Sequence, residues 1–238
     1  YFLWAFLIKT PIPFLAALGL ALFNFKKLSF WNNFFLLFPA VLFLSITSWK
    51  GHNIGVRYIL PIYPFLILYA AGWLSKVTEN CKLKIVNCGA KIKTVTVLIF
   101  ALVGWYVFSS VSIYPDYLAY FNEIVGGSKN GYRHLDDSNI EWGHDWKRLA
   151  EYQKQNPELK VFLWTDSDTY KFYGIKNILS LNDKDKWLDP KGKYAVSVHT
   201  AARGRLVAQV YKNKEYSWAD SYKPVDMIGH SFLVYEFK

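Results

Sequence analysis

The chain has 238 residues, of which 53% are hydrophobic and 19% aromatic, and it carries a formal net charge of +10. This charge is unevenly divided, because residues 1–113 contain ten Lys or Arg and a single acid, whereas residues 114–238 are nearly balanced. A nucleic-acid-binding domain places its positive excess on a folded polar surface, but here the excess lies in short gaps between long apolar runs. The composition therefore excludes a nucleic-acid-binding protein and is typical of a membrane protein.

Four apolar runs follow one another in the first region, residues 1–113. They are the run before Lys26, which is interrupted only near Lys9, and residues 28–49, 58–74 and 94–113, with 22, 17 and 20 uncharged residues. A helix that crosses about 30 Å of hydrocarbon needs roughly 20 apolar residues, and these runs lack the polar face of a soluble core helix. We therefore expect an α-helical membrane bundle of about four transmembrane helices, the third of them broken by Pro61 and Pro64.

Lysine residues in the gaps between the runs set the expected orientation. Residues 75–93 include five Lys and one Glu, and Lys26 and Lys27 precede the second run. Loops with an excess of Lys and Arg stay in the cytoplasm, so everything after Ile113 is expected on the opposite side. We therefore predict an integral protein of the bacterial inner or plasma membrane whose residues 114–238 form an extracytoplasmic domain.

The two cysteines and the first residues give little further information about function. Cys81 and Cys88 fall in the Lys-rich gap, where a reducing cytoplasm disfavours a disulfide, and two Cys without a nearby His are too few for a zinc site. The chain starts with Tyr1 inside an apolar segment, without the basic region of a signal peptide. We therefore expect it to be the C-terminal part of a larger membrane protein.

Four cationic or potentially cationic side chains lie at the expected outer edge of the membrane: Lys9, Lys50, His52 and Arg57. Snorkelling towards lipid headgroups explains such residues without any function, above all at Lys50. The planar guanidinium of Arg57 is suited to a two-pronged phosphate contact, however, and Lys9 interrupts an apolar run. We therefore predict that Lys9 and Arg57 contact a phosphate, with His52 and Tyr58 as further donors.

Residues 114–238 have the size of a single domain, and their pattern alternates between strands and helices. Periodicity predicts helices over 142–155, 167–173 and 201–211 and strands over 160–164, 194–198 and 231–237. Such alternation is typical of a small α/β layer structure. The expected fold class is therefore a membrane helical bundle followed by a small extracytoplasmic α/β domain.

The segment 136–145 is unusually polar, with four acids, an Asn, a Ser and a His among its ten residues. It lacks the alternating acids of a calcium loop. One interpretation is a helix start, in which Ser138 or Asn139 caps the following helix. The other is a role that faces a carbohydrate or a sugar donor, and the candidate substrate-facing residues are then Asp137, Asn139, Glu141 and Asp145.

Several motifs occur in a fixed order along the whole chain. They are Lys9-Thr10-Pro11, Gly55 to Pro64, Tyr117 to Glu123 with Gly126-Gly127 and Asn130-Gly131, Asp137-Ser138-Asn139 with Trp142-Gly143 and Asp145, and Pro224-Val225-Asp226 with Gly229 and Ser231. In this order they resemble the C-terminal part of bacterial family-39 glycosyltransferases, the protein-mannosyltransferase-like group. Glu141 and His144 depart from that pattern, since the family usually has Asp and Gln at these positions.

The resemblance implies an integral-membrane glycosyltransferase of the GT-C architecture, which uses a polyprenyl-phosphate sugar as donor on the outer face of the membrane. The acceptor would be a glycan, a lipid or a protein, and neither a metal ion nor a cofactor is implied. The family's catalytic base is an Asp in the first extracytoplasmic loop, so no catalytic residue is expected in this chain. Lys9 and Arg57 would then stabilise the phosphate leaving group electrostatically.

A non-catalytic transporter or assembly factor for cell-envelope glycans is the alternative function. A transporter is expected to carry ionisable residues at mid-membrane depth. The three complete apolar runs contain none. The sequence therefore favours an enzyme that works at the membrane surface.

Overall fold

The computed structural model describes residues 1–25, 29–50, 53, 55–83, 89–163, 168–180, 183 and 189–238, and over residues 80–83 and 89–96 it describes the backbone alone. The chain forms two compact units, Tyr1–Gly131 and Tyr132–Lys238. Residues 114–131 belong to the first unit. The domain border predicted at Ile113 marks the point where the chain is expected to leave the membrane. The division into compact units does not test it, so it stays a prediction.

The first unit is helical. Its helices are α1 (Phe2–Lys9), α2 (Ile12–Phe23), α3 (Phe30–Lys50), α4 (Ile62–Leu83) and α5 (Gly89–Val111), with 3₁₀ turns at Val56–Ile59, Tyr117–Ala119 and Glu123–Val125. A further 3₁₀ segment, Ser128–Arg133, leads out of this unit.

The expected bundle of four transmembrane helices is wrong. Among the described residues, α3 is the one helix that is long and apolar enough to cross a membrane, and α1 with α2 passes the same test only as a pair bent by 117°. In α4, Lys76 and Glu79 follow the apolar half of the helix, and α5 contributes only the short apolar stretch Val97–Val111. Counting uncharged residues overestimated the spans, because such a count ignores where each helix begins and bends.

The bend between α1 and α2 follows from two prolines. The ring of Pro11 disfavours helical backbone at Thr10, whose φ of −106° and ψ of 134° are extended. Pro13 lies in the first turn of α2, where its missing N–H would have no helical partner anyway. The first apolar run is therefore two short helices that point in different directions.

A second break precedes α4 and confirms the interruption predicted in the third apolar run. The 3₁₀ turn Val56–Ile59 ends before Pro61, and α4 begins only at Ile62. Because Pro64 falls in the first turn of α4, it costs no hydrogen bond within the helix.

The helices of the first unit share one apolar core. Its buried members are Phe2, Phe6, Leu18, Ala21, Ala40, Ile59, Ile62, Tyr69 and Trp73. Tyr69 also donates its hydroxyl to the carbonyl oxygen of Ala21 at 3.3 Å, which joins α4 to α2. By contrast, the start of α3 exposes large aromatic side chains: Phe30, Trp31, Phe34, Phe35 and Phe38. An apolar surface of this kind is suited to contact with lipid or with another apolar surface.

The second unit contains a mixed five-stranded sheet with the strand order β2-β1-β3-β5-β4. The strands are β1 (Lys160–Phe162), β2 (Ile178–Leu179), β3 (Gly192–Ser197), β4 (Asp226–Ile228) and β5 (Phe232–Phe237). β1 is parallel to β2 and to β3, whereas β5 is antiparallel to β3 and to β4. In the described part of this unit the helices are α6 (Trp146–Gln155), α7 (Thr169–Phe172) and α8 (Val198–Val210), with a 3₁₀ segment at Lys214–Ser221.

Five residues of the predicted strands 160–164 and 194–198 are buried, with no more than 5% exposure: Val161, Leu163, Ala195, Val196 and Val198. The strand prediction is confirmed for Val161, Ala195 and Val196, whereas Leu163 follows β1 and Val198 begins α8. The α6 helix shares one core with Val161, Leu163 and Ala195 through Trp146 and Leu149. The other sheet face carries an aromatic cluster of Tyr194, Trp218, Tyr222, Tyr235 and Phe237.

Candidate functional site

The candidate site lies in the second unit, at the edge of the sheet where the parallel strand β3 ends. There α8 begins at Val198, whose N–H donates to the carbonyl oxygen of Ser231 at 2.8 Å. This bond places the start of α8 beside the turn that joins β4 to β5. The segment 136–145 reaches the same place, because Asp145 accepts hydrogen bonds from His230 and Ser231. The carboxyl ends of parallel strands are a common location for ligand sites in α/β proteins.

A short 3₁₀ turn, Asp137–Asn139, opens the polar segment 136–145. The side-chain amide of Asn139 donates to the carbonyl oxygen of Asp136 at 2.8 Å and closes this turn. Asp137 has a positive φ of 59°, a conformation that Asp adopts more readily than most residues. The turn therefore fixes the backbone that precedes the acidic side chains.

The capping interpretation of this segment is wrong, since α6 begins only at Trp146 with Asp145 at its N-cap position. The delay is caused by Gly143, which has a φ of 85°. A Cβ at Gly143 would also meet Cδ1 of Trp146 at 2.9 Å, so only glycine fits. The predicted helix over residues 142–155 is thus confirmed from Trp146 onwards, and the preceding residues form the site.

Asp145 is the fully buried centre of the site. One carboxylate oxygen accepts from Nη1 of Arg148 at 2.7 Å, and the other accepts from the N–H of His230 at 2.8 Å and from the hydroxyl of Ser231. Burial alone would raise the pKa of Asp145, but these hydrogen bonds together hold it below its usual value. Asp145 is therefore an ionised carboxylate at neutral pH.

Glu141 lies beside Asp145 and has the opposite electrostatic behaviour. Burial raises its pKa to about 7, and repulsion by the Asp145 carboxylate adds to this shift. Hydrogen bonds with the Ser231 hydroxyl and the Gly143 N–H oppose the shift only in part. Among the described residues, the Glu141 Oε2 atom is buried without a hydrogen-bond partner. One site thus places the ionised carboxylate of Asp145 beside a carboxyl group, that of Glu141, which takes up a proton near neutral pH.

An imidazole and a carboxylate complete the site. His199, in the first turn of α8, has its Nδ1 atom 2.9 Å from Oδ2 of Asp136. This hydrogen bond raises the pKa of His199 above its usual value, although burial opposes the shift. His199 also lowers the pKa of Glu141 electrostatically, so the two groups interact.

Sequence reasoning found only part of this site. It named Glu141 and Asp145, which the structure brings together, and also Asn139, whose amide serves the local turn. It did not name His199 or Asp136 as site residues. The available signal was the predicted strand 194–198, since a polar side chain directly after a parallel strand lies at the edge where ligands bind.

The predicted phosphate-binding residues belong to the first unit. Lys9 Nζ donates to the carbonyl oxygen of Leu118 at 2.6 Å and lies 4.2 Å from the ring centroid of Phe121. Arg57 is exposed, and its guanidinium lies 5.1 Å from the ring centroid of Tyr58. His52 lies outside the described residues. A phosphate contact by these side chains stays a prediction.

Asn122 joins two of the sequence motifs described above, Lys9-Thr10-Pro11 and Tyr117 to Glu123, within the first unit. Its side-chain amide donates to the carbonyl oxygens of Leu7 at 2.7 Å and Thr10 at 2.8 Å, and its N–H donates to that of Ile8 at 2.9 Å. The last carbonyls of a helix have no partner within the helix. Asn122 therefore caps α1 at the bend and holds the segment that carries Lys9.

Comparisons of the chain with models of protein families, with curated proteins and with solved structures found no match.

Proposed function

We propose that this chain belongs to a membrane-bound glycosyltransferase that moves a sugar from a polyprenyl-phosphate donor to an acceptor on the outer face of the membrane. The observation that carries the proposal is the cluster of Glu141, Asp145 and His199 in the second unit. A sugar hydroxyl both donates and accepts hydrogen bonds. The Asp145 carboxylate, the Glu141 carboxyl group, which gains a proton near neutral pH, and the His199 imidazole offer partners of both kinds.

The α3 helix supports the membrane part of the proposal. It is long enough to cross the hydrocarbon core, and the aromatic side chains at its start are exposed. Aromatic residues are enriched where membrane helices meet the headgroups. In the proposed enzyme, α3 anchors the chain in the bilayer that contains the donor lipid.

An apolar cavity in the first unit is suited to the isoprenoid part of such a donor. It has a volume of about 240 Å³ and lies between α2, α4 and α5, with Phe14, Ile67 and Val103 among its lining residues. An isoprenoid chain needs apolar surface and no hydrogen-bond partners.

Arg57 is the residue best suited to the donor phosphate. Its guanidinium is exposed and stacks on Tyr58, which limits the conformations of the side chain. Lys9 has three donors, and one of them bonds to Leu118, so in the proposed enzyme Lys9 donates hydrogen bonds from a fixed position.

The direct test is sugar transfer by the full-length protein reconstituted in vesicles. The donor is a synthetic polyprenyl-phosphate hexose labelled in the sugar, and membrane extract supplies acceptors. We expect the label to leave the lipid, and we expect Arg57→Lys to lower the rate by about tenfold or more, because a point charge cannot replace a two-pronged contact. Arg133→Lys is the matched control, since Arg133 is likewise exposed and lies 5.6 Å from the ring of Tyr132.

Two further variants test the cluster in the second unit. Glu141→Ala should lower the transfer rate, whereas Glu158→Ala, which changes an exposed carboxylate, should leave it unchanged. Wild-type rates in both Arg57→Ala and Glu141→Ala would contradict the proposal. Movement of the lipid-linked sugar across the vesicle membrane without transfer would instead support the transporter alternative.

A further inference from the structure

The outward face of α8 is apolar over the half of the helix where a solvent-facing surface is expected to be polar. Along this face, residues spaced by three or four are His199, Arg203, Leu206 and Val210. Leu206 is 50% exposed and Val210 is 66% exposed, and Tyr211, which directly follows the helix, is 72% exposed. These apolar side chains are therefore left out of the core of the second unit.

The opposite face of α8 fixes the orientation of the helix. Ala201 and Gly204 are buried on that face, and a Cβ at Gly204 would clash with the carbonyl oxygen of Tyr216. Nε of Arg205 donates to Oδ1 of Asp220 at 3.1 Å. A rotation of α8 that buried its outward apolar side chains would break both contacts. The exposure of those side chains is therefore a fixed feature of the fold.

Positive charge surrounds the exposed apolar side chains. Residues 198–214, which comprise α8 and the turn after it, contain four cations and no acid. The four cations are Arg203, Arg205, Lys212 and Lys214, and all but Arg205 are exposed. All 17 acids of residues 114–238 lie elsewhere, together with only 14 of the 18 Lys and Arg. The three exposed cations, together with Leu206, Val210 and Tyr211, form what we call the α8 face.

An apolar stripe edged by cations matches the chemistry of an anionic lipid surface. Aliphatic and tyrosine side chains enter the boundary between headgroups and acyl chains, while Lys and Arg reach the phosphates. The chain itself contains α3, a helix that is long and apolar enough to cross a membrane. We propose that the α8 face docks on the surface of a bilayer that contains anionic lipid.

A lipid surface fits the α8 face better than a protein partner does. A stable protein interface involves roughly 20–30 residues on each side. The apolar part of the α8 face is only three side chains on one convex helix. A bilayer surface adapts to a single helix, and an anionic leaflet attracts each Lys or Arg that approaches it. The size of the face and the sign of its charge therefore agree on the same partner.

Docking also determines which part of the second unit lies at the membrane surface. His199 of the candidate site lies on the same side of α8, one helical turn before Arg203. With α8 flat on the bilayer, this end of the site is held at the level of the headgroups. In the proposed enzyme, the phosphate and the sugar of a lipid-linked donor lie at this level. That last consequence rests on the proposed function, whereas the docking itself does not.

Fluorescence quenching of the full chain in lipid nanodiscs tests the docking. In a variant without Cys81 and Cys88, Leu206→Cys carries an environment-sensitive fluorophore, and a nitroxide quencher is attached to lipid near the headgroup. One set of discs contains about one third phosphatidylglycerol, and the other contains neutral lipid alone. In the anionic discs we expect the nitroxide lipid to lower the fluorescence by about twofold or more. The loss should be far smaller in neutral discs and in about 1 M salt, where charge attraction is screened.

Matched variants keep the result specific. The same fluorophore at Glu151→Cys, on an exposed position of α6, should not be quenched. Reversing the three exposed cations of the α8 face should remove the quenching at position 206, whereas reversing three exposed lysines elsewhere in the second unit should preserve it. The first variant combines Arg203→Glu, Lys212→Glu and Lys214→Glu, and the second combines Lys147→Glu, Lys154→Glu and Lys176→Glu. The comparisons of lipid and salt use the natural charges, so they decide even where a variant folds poorly.

Three results would overturn the proposal: no quenching at position 206 in anionic discs, equal quenching at positions 206 and 151, or quenching that neither salt nor the reversed charges change. A fluorophore at position 206 that is shielded from water but not quenched by lipid would mean that protein covers the α8 face, and it would overturn the proposal as well. The measurement involves no sugar, so its outcome is independent of the proposed glycosyl transfer.

Discussion

Position 229 must be a glycine because of the side chain that packs against it, that of Asp145. It has a positive φ of 58°, and a Cβ at this position would clash with the carboxylate of Asp145. Asp145 cannot move away, because Arg148, His230 and Ser231 all donate to it. The turn between β4 and β5 therefore depends on a glycine for space as well as for backbone conformation.

We predict that Gly229→Ala destabilises the protein by about 3 kcal/mol or more, since it adds a buried clash to the cost of a positive φ. Gly192→Ala is the matched control, because Gly192 has a φ of 83° but a Cβ there would meet no described atom within 4 Å. The control should lose only about 1 kcal/mol. Urea unfolding measures both, and equal losses in the two variants would refute the clash.

The pair of His199 and Asp136 leads to a second prediction at the residue scale, which concerns the pH dependence of stability. The folded pKa of His199 is raised above 6.5, chiefly by its bond to Asp136, so its stabilising effect is present below that value and is lost as the pH rises through the folded pKa. Asp136→Asn should therefore lower the free energy of unfolding by about 1 kcal/mol at pH 5.5 and by less at pH 8.5.

Asp189→Asn serves as the control for this measurement, because Asp189 pairs with Lys191 through side chains that are 82% and 75% exposed. An exposed pair of this kind contributes little to stability. A loss in Asp136→Asn that grows towards high pH would show that the bond does not favour charged His199.

At the scale of elements, the sequence predicted strands better than membrane spans. The segments 194–198 and 231–237 match β3 and β5 closely, because consecutive buried β-branched and aromatic residues between turn residues leave few alternatives. The start of α6 was placed too early, at Trp142. Gly143 acts locally on that boundary through Trp146, whereas the hydrogen bonds of Asp145 with His230 and Ser231 join distant segments and leave no periodic signal.

The bend between α1 and α2 gives an element-level prediction. Asn122→Ala removes two side-chain hydrogen bonds to the carbonyls of Leu7 and Thr10, and we expect a loss of about 2 kcal/mol or more, because buried carbonyls are left unsatisfied. Asn24→Ala removes one exposed bond to Leu20 and should cost far less. Thermal unfolding in detergent compares them, and similar midpoints would mean that Asn122 does not hold the bend.

At the scale of the whole molecule, the sequence predicted the division into an apolar helical part and an α/β part but overestimated the number of spans. Uncharged length is visible in a sequence, whereas the 117° bend and the late start of α4 depend on how prolines are accommodated in three dimensions. The sequence predicted only those residues of the candidate site that lie close together along the chain. His199 and Ser231 join it through the order of the strands.

Membrane insertion of α3 is the prediction at this scale. In a variant without Cys81 and Cys88, single cysteines at Ser29 and Asn53 flank α3 and are exposed in the structure. If α3 spans the membrane with the Lys26 end inside, an impermeant thiol reagent added to intact cells should label the Asn53→Cys protein and leave the Ser29→Cys protein unlabelled. Permeabilised cells provide the control, in which both should react. Equal labelling of the two in intact cells would mean that α3 does not cross.

The outer strands of the sheet have a consequence for how copies of this protein meet. β2 has two residues and β4 has three, so each edge presents very few open N–H and C=O groups to another chain. On β4, Asp226 adds a charge that strand addition would have to bury or pair. The second unit is thereby protected from edge-to-edge aggregation, and copies of this chain at high concentration can lie side by side without joining their sheets.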